Sequence, residues 1–263
     1  MKAAAESRQD DIGYVKALTD PSYRRASIIC IIMATAIQGT GINAINIYST
    51  KIYQDIQDES GGTGGISPRL GSVLNGVAQM IACGLSPLMT YFSMRAIINR
   101  GFFIMAISMF VISVFAAEGM NNLLVVFMMI FLFTFQITLG TFSWVYIGAV
   151  TCDEGLSIGT FTLWFWVLIL SIFTNKMFDT MQSWGTFLFF GLCSLVSGIF
   201  FQLQLREIKG LTRDEAQVVY SDKREATISS RKSDFAIGAS TLGSEGSVLL
   251  DGRKSNEDIE EAH

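Results

Sequence analysis

Between Ala26 and Leu205 the chain consists of long apolar runs divided by short polar gaps. A helix that crosses the hydrocarbon layer needs roughly 20 mostly apolar residues. The runs Ala26 to Ile52, Leu70 to Met94, Gly101 to Ala117, Leu123 to Val150, Leu156 to Phe173 and Trp184 to Leu205 are each long enough, or nearly so. They are continuous and lack the period-two alternation that membrane barrels require. The pattern predicts an all-α membrane protein with six transmembrane helices. Residues 1–25 read as a polar linker, 26–205 as the membrane domain and 206–263 as a disordered acidic tail. That tail is rich in Ser, Gly, Glu and Lys, and buries too little apolar surface to offset its ordering entropy.

The polar gaps carry further information. Lys and Arg in short loops favour the cytoplasm. Lys2, Arg8, Lys16, Arg24 and Arg25 precede the first run, Arg95 and Arg100 separate the second from the third, and Arg206, Lys209 and Arg213 follow the sixth. With six crossings these clusters fall on one side, so both termini are expected in the cytoplasm. The gap at Asp153-Glu154 belongs to that side too, although it has no base. The other long gap, Asp55 to Ser67, contains Gly61-Gly62-Thr63-Gly64-Gly65, flexible by composition and without the Gly-Lys-Ser/Thr of a phosphate loop.

Several function classes lack their residues. No basic stripe with interleaved aromatics supports nucleic-acid binding. Cys30, Cys83, Cys152 and Cys193 have neither zinc-ligand nor redox spacing, so no metal or cofactor is expected. Gly155-x-Ser157-x-Gly159 fits a nucleophile-elbow pattern but has no strand before it and no triad, since the only histidine is His263. Gly39-x-Gly41-x-x-Ala44 fits a loose dinucleotide fingerprint inside an apolar run. An enzyme is not expected. Ser230, Ser233 and Ser255 flank basic pairs and are candidate phosphorylation sites.

The first run carries the chemistry. Its middle reads Gln38-Gly39-Thr40-Gly41-Ile42-Asn43-Ala44-Ile45-Asn46. Amides at mid-bilayer are costly unless a partner or a cavity satisfies them. Asn43 and Asn46 share a helix face, whereas Gln38 joins them only if the helix bends at the glycines. Discontinuous helices expose amides to substrate in transporters, yet amides also glue helices together. The helix alone does not decide between these readings.

Gln38 to Ile45, followed by Tyr48-Ser49-Thr50, resembles the seventh-helix signature of the sugar porter family of the major facilitator superfamily. Other family motifs follow in order. Arg24-Arg25 resembles the basic pair that enters the family's second half. Gly140 with Trp144 resembles the tenth helix, where a Gly-Pro-x-Pro-Trp run is usual. Ser157-Ile158-Gly159-Thr160 with Trp164 resembles the start of the eleventh. Glu207-x-Lys209-Gly210-Leu211-Thr212 resembles the Pro-Glu-Thr-Lys-Gly-Leu motif after the twelfth. The resemblance implies the C-terminal six-helix half of a twelve-helix transporter that moves a hexose or related carbohydrate by alternating access, as a multi-pass protein of the plasma membrane. It implies sugar-binding roles for Gln38, Asn43, Asn75, Trp144 and Trp164, with Asn46 and Gln136 beside them. Amides offer hydroxyls both donor and acceptor, and aromatic faces cover the apolar face of a sugar ring. The implied partners are a sugar, the bilayer, and either a missing N-terminal half or a second copy.

The departures concern selectivity and gating. Ile37 replaces a Gln, Gln136 a common Glu, Thr141 and Ser143 the bending prolines, Leu163 an amide and Ala149 an acid, and Tyr91 to Arg95 retains little of a charged loop motif. They leave a second expectation open, a non-transporting sugar sensor or partner subunit that kept the fold.

Overall fold

The computed structural model describes residues 13–59 and 67–221, and the regular structure within them is helical. The Gly61 to Gly65 loop and Ser230, Ser233 and Ser255 lie outside the described residues. A short helix α1 (Tyr14–Thr19) leads into α2 (Pro21–Gly39). The Asp20 carboxylate accepts from the Ser22 backbone N–H and Pro21 occupies the first turn, where its missing N–H costs nothing. After a break at Thr40-Gly41 the chain continues as α3 (Ile42–Glu59). Next come α4 (Pro68–Leu85), capped by Ser67 and extended by a 3-10 turn (Ser86–Tyr91), and α5 (Met94–Ala117), capped by Ser93. Helix α6 (Asn121–Phe135) passes through a π-helical segment (Gln136–Gly140) into α7 (Thr141–Val150). Helix α8 (Asp153–Gln204) and a short α9 (Arg213–Gln217) complete the described chain.

Among the described residues, five stretches are long and apolar enough to cross a membrane: Pro21–Gln54, Pro68–Tyr91, Met94–Ala117, Asn121–Val150 and Asp153–Gln204. The last merges the fifth and sixth expected crossings. At 1.5 Å per residue a straight helix of its 52 residues would extend about 78 Å, far beyond a hydrocarbon layer of about 30 Å. It is not straight: Gln182 has φ 58° and ψ 173°, and the chain turns back there. The neighbours of α2 establish the reversal. Before the turn, Gly155 lies beside Ser27, Gly159 beside Cys30, and Trp166 bonds Thr35, so this limb runs parallel to α2. After the turn, Gly41 abuts Phe190, Cys193 lies beside Gly39, and Phe200 and Leu203 share a cavity with Ile28 and Ile32, so the second limb runs antiparallel.

Helix α5 packs along the second limb, with Phe102 stacked on Phe201 at 5.2 Å, Gly191 against Phe110, and the Ser113 hydroxyl donating to the Trp184 carbonyl. Arg95, read from sequence as loop, rides instead on the first turn of α5, because Ser93 starts that helix earlier than the apolar run does. Its guanidinium donates to the Gln202 carbonyl at 2.8 Å. Arg25 and Arg206 line one cavity, so three of the basic groups noted in sequence gather at one end of the bundle.

Residues 206–221, which composition assigned to the tail, are folded against that end. Ile208, Ala216, Val219 and Tyr220 are buried, and Thr212 and Glu215 form a capping box. A few apolar residues spaced through a polar stretch suffice to dock it, and average composition conceals them. Tyr146 of α7 and Tyr220 share a 2.6 Å hydroxyl contact, and the Arg206 backbone N–H donates to both. Ser93 donates to Glu207, Lys209 to the Tyr91 carbonyl, and Arg213 pairs with Asp153 at 3.4 Å.

Candidate functional site

The break in the first crossing is built around Gly41. Its φ of +81° suits glycine, and a Cβ there would lie 2.7 Å from both Met109 Cε and Phe190 Cγ. Thr40 turns its hydroxyl onto the Ile37 carbonyl at 2.7 Å. The break joins Gln38 to Asn43. Residues five apart on an unbroken helix point about 140° from each other at 3.6 residues per turn, yet Asn43 Nδ2 donates to Gln38 Oε1 at 2.5 Å. Gln38 is only 5% exposed, Asn43 half-buried and Asn46 exposed. The three amides thus lead from the interior to the surface of the bundle.

A second polar chain begins one turn further on. Ser49 Oγ donates to the Asn46 carbonyl at 3.1 Å and accepts from Asn75 Nδ2 of α4 at 3.3 Å. Asn75 Oδ1 accepts from the Tyr53 hydroxyl at 3.2 Å, and Gln79 Nε2 donates to the Asn75 carbonyl at 3.4 Å. Asn75 is 5% exposed, and this network satisfies it. Gly71 lets the Tyr53 ring lie flat on α4, since a Cβ there would meet the ring at 2.5 Å. Sequence reading singled out Asn46 and Asn75 but not Tyr53 or Gln79. Residues 46, 49 and 53 recur at helical spacing, which was the available signal.

The other nominated residues are placed differently. Gln136 begins the π-helical segment, half-buried, with its side chain lying over Gly140. Its carbonyl accepts from the Thr141 hydroxyl at 2.9 Å. Trp144 is half-buried on α7 and packs against the apolar core. Trp164 is 65% exposed on the outside of the first α8 limb, and it is Trp166 that turns inward, its Nε1 donating to Thr35 Oγ1 at 3.1 Å. Toward the Gln182 turn, Tyr48 stacks on Phe178 at 4.0 Å, meets Phe187 edge-on at 5.5 Å, and bonds the Ser183 hydroxyl. The structure therefore brings Gln38 to Asn43 and links Asn75 through Ser49 to the backbone of Asn46, and it places Gln136, Trp144 and Trp164 in neither group.

Chemically, the arrangement offers neutral donors and acceptors beside aromatic faces. Among the described residues no group of three or more His, Cys, Asp or Glu side chains could hold a metal ion.

Comparison with known proteins gives a consistent result. The family model described as "Sugar (and other) transporter" matches residues 1–220. Solute carrier family 2, facilitated glucose transporter member 2, of Rattus norvegicus is 28% identical over 84% of this chain and 44% of its own length. Sugar transport protein MST7 of Oryza sativa subsp. japonica is 23% identical over 84% of this chain and 45% of its own. The chain spans less than half the length of these curated relatives. Among solved structures, the major facilitator superfamily proton:xylose symporter XylE bound to 6-bromo-6-deoxy-D-glucose superposes with a TM-score of 0.63, at 17% identity, over 74% of this chain and 42% of that one. A double tryptophan mutant of XylE gives 0.65 over 84% and 49%.

Proposed function

Because the chain belongs to the sugar transporter family, we propose that it is the C-terminal half of a transporter that moves a hexose or related carbohydrate by alternating access. The observation that carries this reading is the pair Gln38–Asn43 across the glycine break, continued by the exposed Asn46. In this reading Asn43 and Asn46 exchange hydrogen bonds with sugar hydroxyls, and Gln38 fixes the Asn43 amide in orientation. Asn75 supports the same face through Ser49, and Gln136 and Trp144 are further contacts in this reading, supported by the family resemblance alone. Trp164 is the least supported of the set, given its exposure. An N-terminal six-helix half, or a second copy, closes over the amide face. Both termini lie in the cytoplasm, with the basic end of the bundle on that side, and the plasma membrane is the expected location.

The bend that prolines supply elsewhere in the family has a counterpart here. A π-helical segment inserts one extra residue into the helical ladder and bends it, and it falls on Gln136–Gly140, just before Thr141 and Ser143.

A second reading keeps sugar binding without transport. It is favoured by one observation: Thr141 and Ser143 stand where the family has bending prolines, and Tyr91 to Arg95 retains little of the family's charged loop motif. Uptake of labelled hexose into proteoliposomes holding the chain together with an N-terminal six-helix half separates the two. The transport reading predicts saturable uptake, with half-saturation rising about twofold to tenfold in Asn43→Ala, the worth of one neutral hydrogen bond. Hexose binding without uptake would favour the sensor, and unchanged uptake in Asn43→Ala would remove that residue from the site.

A further inference from the structure

Four uncharged polar side chains line one face of α3 beyond the glycine break. Asn43, Asn46, Thr50 and Gln54 follow one another at steps of three or four residues, so at about 100° per residue they fall within about 80° of one another. They extend about 16 Å along the helix, a run longer than one sugar ring. Asn43 and Thr50 are half-buried, and Asn46 and Gln54 are exposed. The Asn46 and Gln54 side chains have no hydrogen-bond partner among the described residues. Lys51, the next base on α3, points about 60° away from the nearest member of this face. Helix α4 supplies a second wall. The bonds from Asn75 to Ser49 and Tyr53, and the 3.3 Å hydroxyl contact between Thr50 and Ser72, set the two helices antiparallel. In that register Gln79, seven residues beyond Ser72, comes level with Asn46. It is half-buried, and its amide donates to the Asn75 carbonyl.

Resting on the sugar-binding reading above, we infer that the site extends outward from Asn46 and takes a carbohydrate of two linked sugar units. One unit meets Asn43, oriented by Gln38. The second lies along Asn46, Thr50 and Gln54, with Ser72 and Gln79 across the seam. Amides and hydroxyls offer a second ring the same mixture of donors and acceptors as the first. The ladder itself carries no charge, which suits a neutral polyol rather than an ion. Both open amides belong to the crossing Pro21–Gln54, where an amide left unmet is costly. Acyl chains cannot meet them. A single hexose at Asn43 leaves Gln54 about 16 Å away along the helix. Amides that glue helices together are engaged by the neighbouring helix. Here α3 and α4 are already joined through Ser49, Tyr53 and Asn75, and the two amides remain open beside that contact.

The test measures competition for labelled glucose in liposomes holding the chain together with an N-terminal six-helix half. Glucose, maltose and cellobiose are the competitors. At least one disaccharide is expected to compete about tenfold better than glucose, the worth of one or two neutral hydrogen bonds. Gln54→Leu and Ser72→Ala alter exposed positions outside the hexose contacts. Both are expected to reduce the disaccharide advantage several-fold and to leave competition by glucose unchanged. Glucose binding with no advantage for either disaccharide would overturn the two-unit site and leave the sugar-binding reading standing. An advantage that survives both variants would also overturn it, because the second unit would then be held elsewhere. So would an equal loss for glucose in the variants. Absence of any displaceable glucose would overturn both readings together.

Discussion

Gly41 meets two requirements at once, a positive φ and a site where Met109 and Phe190 leave no room for a methyl group. Gly41→Ala is therefore expected to destabilise the fold by about 2–4 kcal/mol, combining left-handed strain and overpacking, as measured by thermal unfolding in detergent. Asn43→Ala leaves the Gln38 amide buried and without its bond, which costs about 1–3 kcal/mol. A stability unchanged by Asn43→Ala would mean that water or another group replaces that bond. The amides of the first crossing were legible in the sequence because polar groups are conspicuous in an apolar run. Their partners across the seam were not. Tyr53 and Asn75 are 22 positions apart and meet only because α3 packs on α4. Trp164 and Trp166 illustrate the limit. They are two residues apart and so point about 160° from each other on a helix, and composition cannot say which one faces the bundle. The inward one is Trp166.

At the scale of elements, the reversal at Gln182 was visible as a gap between apolar runs. What hydropathy could not reveal is that helix continues on both sides of a turn made at a single residue. The conformation at Gln182 is one that glycine adopts readily and other residues seldom do. Gln182→Gly is expected to raise stability by about 1 kcal/mol, less whatever is lost with the Trp184 Nε1 bond to the Gln182 side chain. A fall in unfolding temperature would mean that this side-chain bond outweighs the strain. The π-helical segment was not legible either, since Thr141 and Ser143 read from sequence as the loss of a bend. Thr141 Oγ1 closes the wide turn by bonding the Gln136 carbonyl five residues back. Thr141→Val should weaken that closure and, on the transport reading, change the rate of hexose uptake more than its half-saturation.

For the whole molecule, the all-helical membrane class, the family and the grouping of basic residues at one end followed from apolar run length, motif order and charge placement. The docking of residues 206–221 did not, because it depends on a few apolar contacts within a polar stretch. Burial holds the Tyr220 phenol above its ordinary value of 10.0, and outweighs the opposing effect of its hydrogen bonds with Tyr146 and the Arg206 backbone. A raised pKa means the folded state holds the proton more tightly. The docked segment is thus fully stable below pH 10 and loses stability as the pH rises beyond it. Absorbance titration at 295 nm should detect a late-titrating tyrosine that is missing in Tyr220→Phe. Loss of an ordinary tyrosine titrating at about 10 in that variant, in place of a late one, would place Tyr220 in solvent. The central claim, that the amide face of the first crossing meets a sugar, is tested most directly by placing a thiol on it. Asn46→Cys, in a chain also carrying Cys83→Ser to remove an exposed native thiol, should react in membranes with a membrane-impermeant thiol reagent, and saturating hexose should slow that reaction several-fold. A thiol that does not react, or that reacts equally fast with and without hexose, would contradict the account.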